Sequence, residues 1–199
     1  GGGVGGGGGG GGGEGGWGGG ATARRLTAEN DFDEATYSLA QLGPSIRPVR
    51  QDRLHITLKF LGDTSAEVVP ALITAMSSAV RDFSEFECSL TSVGVFPHRR
   101  RASVVWAAVH PKQRLQQLAT SLADRLQPLG FQPEAREFTP HVTLARIKGE
   151  TPIGLDGWLD NHATTDFGGG AVTAIQLIRS DATDHGQTYS TLATIAMAS

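Results

Sequence analysis

Leu54-His55-Ile56-Thr57-Leu58-Lys59-Phe60-Leu61-Gly62 alternates apolar and polar side chains from its first residue. Leu54, Ile56, Leu58 and Phe60 fall on one side, and His55, Thr57 and Lys59 on the other. That is the period-two signature of a strand with one buried face. A second stretch, Thr139-Pro140-His141-Val142-Thr143-Leu144-Ala145-Arg146, repeats the pattern His-x-Thr-Leu and predicts another strand from about His141 to Ile147.

Working outward, Phe32, Ala35, Leu39 and Leu42 recur at helical spacing between Asn30 and Leu42, where Gly43-Pro44 ends the run. Gly62-Asp63 breaks the first strand, and Val69, Leu72, Ile73, Met76 and Val80 mark a helix to about Phe83, with Pro70 acceptable only in its first turn. Glu87 to Val95 and Ser103 to Val109 read as a hairpin with a basic tip at His98-Arg99-Arg100-Arg101. Leu115, Leu118, Ala119, Leu122 and Leu126 give an amphipathic helix. A loop region rich in Gly and Asp follows the second strand, and two β-rich stretches, Ala171 to Ser180 and Thr188 to Met197, complete the chain. Helices and strands do not alternate strictly and hairpin-like neighbours abound, so an α+β fold with mostly antiparallel sheet is expected.

The 199 residues fit one domain and one site. Residues 1 to 20 hold seventeen glycines and too few apolar side chains to offset their ordering entropy, so a disordered tail is expected there and one domain over residues 21 to 199. A net charge of −3 does not advertise nucleic-acid binding through bulk charge, so any RNA contact must be local. Arginines cluster at Arg47, Arg50 and Arg53 and at the hairpin tip, and each taken singly reads as a solvated surface residue. Cys88 stands alone, which excludes an internal disulfide and a cysteine-rich metal cluster and fits a reducing, cytoplasmic setting. No run is apolar enough to span a membrane. A monomer is expected.

His-x-Thr is a weak motif: six His and eighteen Thr in 199 residues produce about half a match by chance. A third occurrence, His162-Ala163-Thr164, has no following Leu and no alternating apolar partners, and reads as a loop decoy. Two His-x-Thr-Leu matches, each in a strand, are expected by chance on the order of once in a thousand such chains. The bland account, two strand histidines satisfied within a core, is the weaker one.

Residues i and i+2 of a strand point the same way, so each motif can present an imidazole and a hydroxyl to one phosphate. In-line cleavage of a cyclic phosphodiester needs a base to activate water and an acid to protonate the leaving ribose oxygen, and imidazole titrates near neutral pH. Thr57 and Thr143 can donate to the non-bridging oxygens. Zinc is disfavoured because no third ligand has recognisable spacing. Nucleophilic catalysis is disfavoured because there is no Gly-x-Ser-x-Gly elbow, and no P-loop is present. No cofactor or metal is expected.

His55-Ile-Thr-Leu-Lys-Phe-Leu-Gly62 and Thr139-Pro-His-Val-Thr-Leu-Ala-Arg146 resemble the paired motifs of the two-histidine phosphoesterases, and within them the LigT-like RNA 2',3'-cyclic phosphodiesterases, also called 2'-5' RNA ligases. Gly94-Val-Phe-Pro97, Val104-Val-Trp106, Leu177-Ile-Arg-Ser180 and Tyr189 are similar to that family too. The resemblance covers about Asp31 to Ala196. It implies two pseudo-symmetric lobes whose antiparallel sheets line a central cleft, with helices outside. It also implies hydrolysis of RNA 2',3'-cyclic phosphate ends to 2'-phosphates, with 2'-5' ligation as the reverse activity; an alternative reading keeps the enzyme class but shifts the substrate to small cyclic nucleotides or 2'-5' oligonucleotides. His55 would be the proton donor, His141 the acceptor, and Thr57, Thr143 and Arg146 phosphate contacts.

Three points stay open in the sequence. Motif symmetry does not distinguish donor from acceptor. Strand parity sets Arg146 on the side opposite His141 and Thr143. Relatives open with an apolar strand where this chain is Gly-rich, which leaves the first lobe without an obvious first strand. The competing class is a non-catalytic RNA-end or nucleotide binder, motivated by the arginine clusters.

Overall fold

The computed structural model describes residues 17–24, 27–28, 30–183 and 186–199. Ten strands among them form one sheet: β1 (Trp17–Arg24), β2 (Thr27–Ala28), β3 (Ile46–Pro48), β4 (Ile56–Thr64), β5 (Phe86–Phe96), β6 (Val104–His110), β7 (His141–Ile147), β8 (Asp166–Val172), β9 (Ala174–Thr183) and β10 (Gly186–Ala196). Four helices accompany them: α1 (Asn30–Ala40), α2 (Val69–Ala79), α3 (Lys112–Leu126) and α4 (Leu155–Asn161).

The strands run in the order β10-β9-β1-β4-β7-β6-β5-β8-β2, with β3 also pairing β7, and every pairing of named strands is antiparallel. The expected α+β class and two lobes are what the chain adopts. The lobes are halves of one curled sheet: β10, β9, β1 and β4 make the first, and β7, β6, β5, β8 and β2 the second. They join at a single pairing between β4 and β7, Ile56 opposite Val142.

The core lies between the sheet and the helices packed on one of its faces. Leu115, Leu118, Leu122 and Leu126, at helical spacing on α3, are buried together with Ile56, Leu58, Val142 and Leu144 of the motif strands. Burying such aliphatic side chains contributes about 1.5–3 kcal/mol each. Helices α2 and α3 pack against each other, and α3 covers β4 and β6. Helix α1 lies against β3 and β8, and α4 is tied to it by Trp158 Nε1 donating to Ser38 Oγ at 2.9 Å.

Several expectations are corrected. The glycine tract does not stay disordered to residue 20: Trp17 to Gly20 belong to β1, and residues 1–16 lie outside the described residues. The first lobe therefore has its strand, held by backbone pairing to β4 on one edge and β9 on the other, which requires few side chains. Gly62-Asp63 does not end β4. Gly62 takes φ +66, open to glycine without a Cβ clash, and pairing continues to Thr64. The stretch after β7 read as loop holds α4 and β8.

Candidate active site

Both histidine motifs lie at the seam, on the face of the sheet opposite the helix-covered core. With Ile56 opposite Val142, antiparallel register sets His55 across from Thr143 and Thr57 across from His141. Ile56 and Val142 point into the core, so the four polar side chains point the other way, each half-buried. The histidines occupy one diagonal of this square, which in an ideal pleat separates side chains by roughly 7–8 Å. Each lobe thus brings one imidazole and one hydroxyl to the seam.

The two rings are held alike. His55 Nδ1 lies 2.8 Å from the carbonyl oxygen of Arg53, and His141 Nδ1 lies 2.6 Å from that of Thr139. A carbonyl oxygen only accepts, so in each ring Nδ1 carries the proton and Nε2 is the nitrogen that can exchange a proton with substrate. The carbonyl two residues upstream thus fixes both tautomers.

The surroundings break the symmetry. The Phe96 ring meets His141 edge-on, with centroids 5.0 Å apart at 79°, and Trp106 stands 6.2 Å away at 57°. Trp106 is the β6 partner of Thr143, and it lies over Gly94 of β5 so closely that a Cβ there would sit 2.2 Å from its ring. This wall half-buries His141. Burial pushes its pKa below the ordinary imidazole value, the Thr139 carbonyl opposes, and the charge of Arg146 lowers it further.

Arg146 reaches the site because β7 bulges. Val105 pairs Ala145 while Trp106 pairs Thr143, so Leu144 is an extra residue that resets strand parity. Leu144 and Ala145 are both buried, and Arg146 emerges on the face of His141 and Thr143, not the opposite one. Its neighbour on β3 is Arg47.

The same device recurs in β4. Ala21 pairs Lys59 while Thr22 pairs Thr57, which makes Leu58 the extra residue. The alternation expected from the sequence inverts beyond it. Lys59 turns inward, 6 % exposed, where Nζ donates to the Gln132 carbonyl at 2.7 Å and lies 3.7 Å from Glu134, and Phe60 turns outward onto the site face, 69 % exposed.

From the seam a polar row crosses the first lobe: Thr57, Thr22 of β1, Gln176 of β9 and Thr194 of β10, with Gln176 Nε2 donating to Thr194 Oγ1 at 3.2 Å. Thr22 Oγ1, Gln176 Oε1, Ser180 Oγ and Trp106 Nε1, all on this face, are buried side-chain polar atoms without a hydrogen-bond partner. Such atoms are rare in folded proteins, and among the described residues the other one is Arg114 Nε.

His162 is not part of it. The residue caps α4, stacks on Trp158 at 4.2 Å and has its Nδ1 2.8 Å from the Trp158 carbonyl. Of the basic tip, Arg99 pairs with Asp156 and Asp160 of α4. Among the described residues no group of three or more His, Cys, Asp or Glu could hold a metal ion.

Residues 26–184 match the model of the 2'-5' RNA ligase superfamily. The chain is 36 % identical over 164 residues to the RNA 2',3'-cyclic phosphodiesterase of Aeropyrum pernix, covering 81 % of this chain and 92 % of that one. It is 31 % identical over 156 residues to the RNA 2',3'-cyclic phosphodiesterase of Methanothermobacter thermautotrophicus, covering 76 % and 83 %. Among solved structures, Escherichia coli LigT complexed with 3'-AMP superposes with a TM-score of 0.68 at 27 % identity, over 94 % of this chain and all of that one. TT0787 of Thermus thermophilus shares the fold, with a TM-score of 0.74 at 22 % identity over 90 % and 97 %.

Proposed function

This chain belongs to the 2'-5' RNA ligase superfamily, and on that premise we propose that it hydrolyses RNA 2',3'-cyclic phosphate ends to 2'-phosphomonoesters, with His55 and His141 as its acid–base pair. The observation that supports the reading is the Ile56–Val142 pairing, which brings the two His-x-Thr segments side by side at the seam.

His141 is the acceptor. Its aromatic surroundings and Arg146 favour the neutral ring, so Nε2 offers a lone pair to water while Nδ1–H stays on the Thr139 carbonyl. Water attacks phosphorus in line with the bond to O3', and its proton passes to His141 Nε2. The P–O3' bond breaks, and protonated His55 gives its Nε2 proton to O3'. The product carries a 2'-phosphate and a 3'-hydroxyl. Solvent exchange returns the proton from His141 and restores that of His55. Thr57 and Thr143 donate to the non-bridging oxygens, and Arg146 offsets the charge that develops there. A 5'-hydroxyl in place of water gives a 2'-5' linkage by the same displacement, and small 2',3'-cyclic nucleotides present the same reacting group.

Both motifs come from one chain, so a monomer over residues 21–199, with β1 reaching back to Trp17, suffices as the working unit. Among the described residues no helix is long and apolar enough to cross a membrane. A cytoplasmic setting agrees with Cys88, whose buried thiol is pushed up to about 12 by desolvation and Glu87 and stays protonated and unreactive.

The test is incubation with RNA ending in a 2',3'-cyclic phosphate, in the presence of EDTA. Ends converted to 2'-phosphate support the proposal. Tight binding without product over long incubation supports a non-catalytic RNA-end binder instead.

A further inference from the structure

We propose that Gln116 of α3 is a positioning residue for His141: it donates to the Phe138 carbonyl and so holds the segment whose next carbonyl, that of Thr139, orients the imidazole. The proposal deepens the hydrolase reading and rests on it for the role of His141 as base.

The two histidines are pinned by the same kind of bond, but the carbonyls that pin them are held differently. The Arg53 carbonyl closes a short 3-10 turn, Gln51–Arg53, whose own backbone bonds run from Arg53 N to the Arg50 carbonyl at 2.9 Å and from Leu54 N to the Gln51 carbonyl at 3.2 Å. That support is local. The Thr139 carbonyl lies at the end of residues 131 to 140, which form neither helix nor strand. Its support comes from elsewhere.

It comes from α3. Lys112 and Gln116, four residues apart, share one face of that helix and both reach Glu137, Lys112 Nζ at 3.5 Å and Gln116 Nε2 at 2.7 Å. Glu137 is exposed, so the ion pair adds little. The second bond of the Gln116 amide matters more: Nε2 also donates to the Phe138 carbonyl at 3.0 Å, in a part-buried setting. On the core side of α3, Leu115 and Leu118 are fully buried. Gln116 therefore reaches the segment from a helix that cannot shift without opening a close-packed core.

Pinning the Phe138 carbonyl fixes the peptide plane just before Thr139. Beyond it, Val109 N donates to the Pro140 carbonyl at 3.2 Å and fixes the plane that leads into His141. The plane between these two joins Thr139 to Pro140, has no N–H, and offers only its carbonyl, which meets His141 Nδ1 at 2.6 Å. A residue before proline is also confined to extended backbone. The direction of the Thr139 carbonyl is thus set from both ends, and Gln116 is the side chain that supplies one of them.

The charged or titratable groups around the His141 ring are Arg146 on its own strand and His55 across the seam, while Phe96, Trp106 and Thr57 on the neighbouring strands carry no charge. The Thr139 bond raises the pKa of the ring, against burial and Arg146. Loosening that bond and wetting the ring therefore act with opposite signs.

Gln116→Met removes the amide at similar length, and Gln116→Lys restores a donor. With RNA ending in a 2',3'-cyclic phosphate, Gln116→Met should lower kcat about 10-fold with KM nearly unchanged, the mark of a misaligned base. It should also move the acidic limb of the pH profile to lower pH and leave the basic limb in place, and Gln116→Lys should recover most of both. Nitrogen-15 NMR of His141 reads the tautomer without turnover: the Nδ1–H form in wild type and Gln116→Lys, and a mixture with the Nε2–H form in Gln116→Met. A lower melting temperature with kcat and acidic limb unchanged, an acidic limb that rises, an unaltered tautomer, or no recovery in Gln116→Lys overturns the proposal. If the tautomer change is seen in a protein that turns over no cyclic phosphate, the positioning role stands and the hydrolase reading falls.

Discussion

Ile56 and Val142 face each other across the one β4–β7 pairing, and both side chains are fully buried beneath the seam between the lobes. One residue to either side lie His55 and Thr143, then Thr57 and His141. The core thus fixes the spacing of these four polar side chains, because each is the immediate chain neighbour of a residue that cannot move without opening a cavity.

Activity against pH should follow a bell whose acidic limb belongs to His141 and lies below the ordinary imidazole value, since burial and Arg146 favour its neutral form. The sign for stability is the same. The folded value is depressed, so the unfolded chain binds the extra proton first, and stability is complete above the unfolded value and lost as pH falls through the folded one. Melting temperatures of wild type and His141→Asn against pH should diverge in that acidic window and run parallel above it.

Arg146→Ala should lower kcat/KM by about 10- to 100-fold through loss of a charge-assisted phosphate contact, and should move the acidic limb upward because His141 loses a neighbouring cation. Arg146→Lys keeps the charge and should leave the limb in place. Steady-state kinetics across the pH range distinguish the two effects.

Thr57→Val and Thr143→Val remove a hydroxyl at nearly constant volume. Each should reduce kcat by about 10²-fold, the usual effect of losing one donor to developing negative charge, with smaller change in KM.

Gly94→Ala introduces a Cβ within 2.2 Å of the Trp106 ring and must displace it. The cost expected for such overpacking is about 1–3 kcal/mol, and the acidic limb should rise as His141 becomes wetter. Adding Trp106→Phe makes room and should recover part of the stability, which paired denaturation curves can show.

Lys59→Met should leave activity near wild type and stability equal or higher, because Lys59 lies on the core side, bound to Gln132 and near Glu134, rather than in the site. A large loss of activity would place Lys59 among the substrate contacts and contradict this.

The contrast between Lys59 and Phe60 shows where sequence reading stops. His55, Thr57, His141 and Thr143 were legible because residue type and period-two spacing both survive in the fold. Leu58 and Leu144 are ordinary inward-facing leucines to any periodicity, yet each is an extra residue in its strand, and the parity after them inverts, in β4 as far as a second extra residue, Leu61. Phe60 and Arg146 were misplaced for that one reason. β1 was hidden for a different one: its hold on the sheet is a backbone ladder on both edges, which leaves no hydrophobic pattern at Gly18 and Gly20. Leu155, Trp158 and Leu159 do carry helical spacing that points to α4, whereas β8 contains three consecutive glycines, one of which, Gly169, lies where a Cβ would come within 2.0 Å of the Cys88 carbonyl oxygen.

The central claim is that His55 and His141 act as a pair on one phosphate. Its most direct test is turnover of RNA with a 2',3'-cyclic phosphate end, in EDTA, by wild type, His55→Ala, His141→Ala and the double variant. Each single variant should lose about 10²- to 10⁴-fold, and the double variant little more than either, as for groups that work as a unit. A single variant that keeps near-wild-type turnover, or losses that multiply in the double variant, would contradict the account.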